Sequence, residues 1–175
     1  FDALLEGETD GVVDDEPVIR HHTLEDNRFR ALEIIESASY AYPMWKKNPS
    51  LRLTFDKELK RMIDEGLVEK IVDKWMRGYD ESTAGAETTD GVQVVRLGLF
   101  PEAIPFGFIN DDGELRGIDL EIIQEVCRRI GFRLEVEAME FDALFDALLA
   151  NQVDIIAGCL SITADRKRIV AFSIP

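Results

Sequence analysis

"FRLEVEAMEFDALFDALLANQVDIIAG" (Phe132–Gly158) holds three hydrophobic patterns in one short span. Phe132–Ala138 alternates apolar and charged residues, the period of a strand with one wet face. Asp142–Asn151 sets Leu144, Phe145, Leu148 and Leu149 at helical spacing and predicts a short helix. Val153–Gly158 is almost continuously apolar, as a strand buried on both faces of a parallel sheet would be. Strand, helix and strand in that order form a right-handed crossover, which decides for an α/β fold.

The flanking sequence extends the same architecture. Val94–Phe100 reads as a further strand. "NDDGELRG" (Asn110–Gly117) reads as a turn that pairs Phe106–Ile109 with Leu115–Ile118 in a small hairpin. Asp119 is expected to cap a helix whose apolar face is Ile122, Ile123, Val126, Cys127 and Ile130, ended by Gly131. In open parallel sheets ligands sit beyond the carboxyl ends of the strands. That rule points to Phe100–Phe106, Phe141 and Gly158–Arg166.

In the first half, "TDGVVDDEP" (Thr9–Pro17) reads as a strand between the end of one helix and a charged helical stretch. "ALEIIESASYAYPMW" (Ala31–Trp45) reads as extended. Asn48 and Pro49 mark a helix start, followed by Leu51, Phe55, Leu59, Met62 and Ile63 at helical spacing. Gly66 breaks that helix, and Leu67, Ile71, Val72 and Trp75 begin a second stripe. "GYDESTAGAETTDG" (Gly78–Gly91) is small and polar, the composition of a linker.

At 175 residues the chain can build one good core or two small ones. A formal charge of −15 argues against nucleic acid and anionic lipid, both of which need a positive surface. Its plain meaning is a solvated acidic surface. Apolar runs such as Val153–Ala157 are too short to span a bilayer. No signal peptide is visible and Phe1 is not an initiator, so a mature secreted protein and an excised fragment would look alike. Cys127 and Cys159 lack metal-ligand spacing, and the adjacent His21 and His22 make a poor clamp. Buried thiols, surface histidines, no metal and no cofactor are expected; whether the thiols pair stays open.

Two stretches carry chemistry beyond packing. "SITADRKR" (Ser161–Arg168) follows the buried strand and offers two hydroxyls and a guanidinium, whose fork matches a carboxylate in two parallel hydrogen bonds. A charged helix start capped by Thr163 accounts for the same residues. "VVDDEP" (Val12–Pro17) sets paired acids after an apolar pair, to bind an amine, cap the helix opening at Pro17, or face solvent.

Residues 93–175, through "IPFGFINDDGELRGIDLEII", "MEFDALFDALL" and "VDIIAGCLSITADRKRIVAFSIP", resemble the first half of the first lobe in polar-amino-acid-binding periplasmic proteins, solute-binding family 3 of ABC importers. Residues 1–79, through "FDALLEGETDGVVDDEPV", "SYAYPMWKKNPSL" and "LKRMIDEGLVEKIVDKWMRG", resemble the end of the same family. The resemblance implies a type II periplasmic-binding-protein fold, an α/β lobe with part of a second similar lobe, in permuted order. Residues 1–42 would be the partial second lobe and 43–79 the hinge strand and closing helices of the first. Residues 80–92 would be the linker, and 93–175 the first half of lobe one. "FDALL", present at Phe1–Leu5 and Phe145–Leu149, would mark the symmetry of the two lobes.

The resemblance places Arg166 on the arginine that clamps the ligand α-carboxylate, with Ser161 as its accompanying hydroxyl. It places Phe141 against the ligand side chain and Asp15 on the ligand ammonium, while Glu102, Phe106 and Cys159 complete the expected contacts. There are departures. Phe100 and Ala103 replace an acid and an aromatic, and Cys159 replaces a glycine, so side-chain preference stays open. The implied function is extracytoplasmic binding of a free amino acid by closure of two lobes near Tyr40–Trp45 and Val170–Pro175. Its partners would be a membrane permease or receptor, and a neighbouring domain or second chain completing lobe two. A tandem slice, a permutant and a truncated chain would each account for the segment order. Alternatives are a sensing domain of a tandem receptor or kinase, and a cyclohexadienyl-dehydratase-like enzyme with Glu102 or Asp14 as general acid.

Overall fold

Val95, Leu97 and Leu99 alternate inward along β2 (Gln93–Leu99) and are almost completely buried, as side chains on the covered face of an interior strand are. The computed structural model describes residues 1–33, 38–77 and 91–175. Residues 78–90 of the expected linker and 34–37 of the expected extended segment lie outside the described residues. The chain forms two compact units, Phe1–Ile35 and Glu36–Pro175.

In the larger unit, β2 pairs in parallel with β6 (Phe132–Ala138) on one side and β7 (Ile155–Ala157) on the other. Beyond β7 the sheet continues with β1 (Pro43–Met44) and β8 (Ala171–Phe172), giving the order β6-β2-β7-β1-β8. The β1 strand runs antiparallel to both its neighbours. The phrase that reads as a continuous buried strand is therefore an interior strand, as its lack of polar alternation requires. A second small sheet, β3 (Glu102–Ala103), β4 (Gly107–Ile109) and β5 (Leu115–Arg116), carries the expected hairpin.

Helices cover both faces of the larger sheet. On one face α3 (Pro49–Asp64), α4 (Leu67–Met76) and α5 (Ile118–Ile130) bury Phe55, Met62, Trp75, Ile123 and Val126 against Leu97 and Ile155. On the other, α6 (Phe141–Leu149) packs Leu144 and Leu148 against Ile156, Leu160 and Val170. The short α7 (Ala164–Ile169) precedes β8, and Lys46 Nζ donates to the carbonyl oxygens of Lys167 and Arg168 near its end at 2.9 and 2.6 Å.

Local chemistry sets the boundaries. Asn48 Oδ1 accepts the Leu51 amide at 3.2 Å with Pro49 opening α3, and Gly66 separates α3 from α4 at φ 69°. Gly131 ends α5 at φ 71°. Polar contacts then lock the helices together. Trp75 Nε1 and Lys74 Nζ both donate to Glu121, while Arg129 joins Glu125, Glu58 and Glu65. Those carboxylates hold the Arg129 guanidinium firmly in its charged form.

Several expectations need correction. Asp119 is not the cap of α5: Gly117 occupies that position, and Asp119 lies inside the first turn with only 7% exposure. Thr9–Asp15 carries no strand, and Val13 is 82% exposed; two valines bury too little to hold an isolated extended segment. The helix expected over Asp142–Asn151 spans Phe141–Leu149, and Asn151 turns the chain at φ 57°. Cys127 is buried but Cys159 only partly so, and the two form no disulfide with each other.

The smaller unit contains α1 (Asp2–Leu5) and α2 (Glu16–Glu25). The Phe1 ring stacks on His22 at 3.7 Å, with Phe29 edge-on to Phe1 at 5.2 Å. Both histidines are half-buried rather than on the surface, and burial lowers their pKa values.

Two substitutions probe this architecture. Phe55→Ala, in a fully buried position, is expected to cost about 3–5 kcal/mol by urea denaturation. Gly117 has φ 135°, and a Cβ there would lie 2.2 Å from the Phe106 carbonyl oxygen. Gly117→Ala should therefore cost at least about 2 kcal/mol, while Gly113→Ala, with no neighbour in the way, should cost less.

Candidate functional site at the carboxyl ends of the parallel strands

Three chain segments leave the sheet at the same end. After Leu99 the chain turns at Phe100, after Ala138 it reaches Phe141 through Met139 and Glu140, and after Ala157 it makes the turn Gly158–Ser161. Parallel strands share a direction, so residues far apart in sequence converge at their carboxyl ends.

Arg166 stands in the first turn of α7, whose start is fixed by Thr163 Oγ1 accepting the Arg166 amide at 3.2 Å. Arg166 Nη1 donates to the Ser161 carbonyl oxygen at 2.9 Å. Its guanidinium carbon lies 5.7 Å from the Phe141 ring centre and 5.2 Å from that of Phe145. Phe141 and Phe145 are one helical turn apart, so α6 presents both rings on one side. Phe141 packs edge-on to Phe100 at 5.5 Å. The neighbouring Asp165 pairs instead with Arg168 at 3.0 Å. Among the described residues no carboxylate pairs with Arg166, although a guanidinium has five donors to satisfy.

The structure thus brings Arg166, Ser161 and Phe141 together. Ser161 also forms an antiparallel bridge with Tyr40, whose ring lies 5.4 Å from that of Phe106. Phe106 is 7% exposed, so it supports this wall from inside. Glu102 is exposed on β3 beside the buried Ala103, and adjacent strand residues point to opposite faces. No described contact joins its carboxylate to Arg166 or Ser161. Asp15 lies in the smaller unit at the N-cap position of α2, where its side chain makes no cap hydrogen bond.

Cys159 belongs to a turn with unusual backbone. Gly158 has φ 119° and Cys159 φ 58°, a conformation disfavoured for residues with a side chain. A Cβ on Gly158 would lie 2.7 Å from the Phe100 Cβ, so the turn sits close against β2. Asp119 lies beneath it. Its Oδ2 accepts the Gly158 amide at 2.9 Å and the Cys159 amide at 3.2 Å, and its Oδ1 accepts the Tyr42 hydroxyl at 3.2 Å.

Asp119, Tyr42 and Phe145 are contacts that the sequence did not disclose. For Phe145 a signal existed in its spacing from Phe141. For Asp119 the only signal was an acid at the head of an apolar run, which fits a cap equally well.

Burial raises the Asp119 pKa from 3.8 to about 6, against the lowering effect of its three donors. The unfolded chain releases this proton near pH 3.8, whereas the folded protein keeps it to about pH 6. The folded state binds more protons within that window, so this group's contribution to stability falls as pH rises through it. The total loss is on the order of 3 kcal/mol. Asp119→Asn should remove this component, seen as a flatter dependence of urea stability between pH 4 and 7 than in the wild type. Equal slopes would show that Asp119 titrates normally.

The strands, hairpin and turns that build this site fall within residues 95–175, which match the model for bacterial extracellular solute-binding proteins, family 3. The histidine-binding periplasmic protein of Escherichia coli K12 is 37% identical over 81 residues, 46% of this chain and 31% of that protein. The lysine/arginine/ornithine-binding periplasmic protein of the same organism is 34% identical over 92 residues, 53% of this chain and 35% of that protein. This chain therefore spans about a third of the length of these curated relatives. Among solved structures, the arginine-bound form of domain 1 from TmArgBP is 36% identical, with a TM-score of 0.46 over 47% of this chain and 65% of that one. Residues 95–175 are thus similar to the bacterial extracellular solute-binding proteins of family 3, by the family model and by both curated relatives.

Proposed function

We propose that this chain contributes an α/β lobe to an extracytoplasmic receptor that binds a free amino acid or a similar zwitterion for ABC import. The observation that carries this reading is Arg166, which is partly buried, backed by two aromatic rings and without a carboxylate partner among the described residues. One Nη is held by the Ser161 carbonyl, and the other donors are left for a ligand α-carboxylate. Ser161 adds its hydroxyl and Phe141 adds apolar surface, with Phe106 behind the wall, Cys159 on the flanking turn and Glu102 on β3.

The ligand ammonium falls to Asp15, and two lobes close over the ligand about Tyr40–Trp45 and Val170–Pro175. Closure excludes water and strengthens each charge pair. The periplasmic names of the relatives support an extracytoplasmic location. No helix among the described residues is long and apolar enough to cross a membrane.

Titration of the chain with each of the twenty amino acids, followed through amide NMR shifts, tests this reading. Arg166→Ala should weaken binding at least about tenfold, and Arg166→Lys should restore little of it, because an ammonium lacks the planar fork. Unchanged affinity in Arg166→Ala would remove the carboxylate assignment.

A further inference from the structure

The Gly158–Ser161 turn buries Leu160 in the core, and its backbone is held by partners from other parts of the chain. Its first two residues adopt left-handed backbone, and Cys159 does so despite carrying a side chain. Two successive amides in such a turn form a concave anion-binding surface. Here that surface is filled from within the chain by the Asp119 carboxylate, which takes both amides on one oxygen. Those donors are therefore not available to a ligand.

The other Asp119 oxygen reaches across the sheet. The Tyr42 hydroxyl that donates to it belongs to the segment leading into β1, and Tyr42 is itself tied to the segment leaving β8. The Tyr42 amide donates to Ser173 Oγ at 2.9 Å, and the Ser173 amide donates to the Tyr42 carbonyl at 3.0 Å. The same segment holds the far side of the turn. Ala41 donates to the Leu160 carbonyl at 3.3 Å, and Ile162 donates to the Ser39 carbonyl at 2.9 Å.

We propose that Asp119 is a positioning residue for ligand binding: it holds the Gly158–Ser161 turn in the backbone that places Ser161 and Arg166, and couples that turn through Tyr42 to the strands β1 and β8. The proposal rests on the amino-acid reading of the site. Arg166 depends on this arrangement because one of its Nη groups is anchored to the Ser161 carbonyl. A turn released from Asp119 carries that anchor with it. The groups facing Asp119 are the Tyr42 phenol and the two amides, and no charged side chain contributes to its titration.

The test uses the 175-residue chain and its variants Asp119→Ala, Asp119→Asn and Tyr42→Phe. Hydrogen exchange at the Gly158 and Cys159 amides and affinity for the best-bound of the twenty amino acids are measured by NMR at pH 7. In Asp119→Ala both amides should lose protection while those of α3 and α5 keep theirs, and affinity should fall at least tenfold. Asp119→Asn retains a carbonyl acceptor and should stay within about fivefold of the wild type, as should Tyr42→Phe.

If Asp119→Ala does not fold, the pH dependence decides. Wild-type affinity should fall toward that of Asp119→Asn as pH drops from 7 to 5, while the variant changes less. Parallel profiles would overturn the proposal, as would a folded Asp119→Ala with wild-type affinity or protected amides. Absence of binding by the wild type counts against the amino-acid reading instead, and amide exchange then decides alone whether Asp119 holds the turn.

Discussion

Burial of Ile155 and Ile156 on opposite faces of one strand is the constraint from which the larger unit follows. Both residues are completely excluded from solvent, Ile155 within the cluster of α3, α4 and α5 and Ile156 within that of α6. A strand that is apolar on both sides is stable only as the interior of a layered sheet. Once β7 lies there, parallel to β2, its carboxyl end delivers the next residues to the same rim as Phe100. The position of Ser161 and Arg166 is thus a by-product of core packing.

Electrostatics at that rim divide into two parts of opposite character. Asp119 is a charge buried at a cost, offset by three hydrogen bonds and placed out of reach of solvent. Arg166 is partly exposed, held by one carbonyl and two ring faces, with donors to spare. The first takes up two backbone amides, and the second keeps donors that no carboxylate among the described residues takes. Neither belongs to the helix–helix ion pairs around Arg129 and Glu121, which join α3 and α4 to α5.

Most elements of the larger unit were legible because their periods are unmixed. The strand β6 shows clean alternation, α5 shows a helical stripe closed by Gly131, and β7 shows an uninterrupted apolar run. Errors arose where one local pattern fits two environments. An aspartate ahead of "LEII" satisfies the rule for a cap, yet Gly117 already supplies the entry to the helix, and Asp119 is needed elsewhere. Thr9–Asp15 looked strand-like from Val12 and Val13 alone, but two apolar residues do not provide a partner strand. At the site, Arg166 and Ser161 were visible as a motif, whereas the ring of Phe145 against Arg166 was not singled out.

The sequence by itself determined the α/β class and the order of the main strands and helices in residues 93–175. These depend on local periodicity. Only the tertiary structure decided that Asp119 closes onto Gly158 and Cys159 and reaches Tyr42. Those partners are separated by 39, 40 and 77 positions along the chain, and no local pattern encodes a hydrogen bond across that distance. It arises because parallel strands bring their ends to a common rim, where a buried carboxylate must find donors or lose its charge.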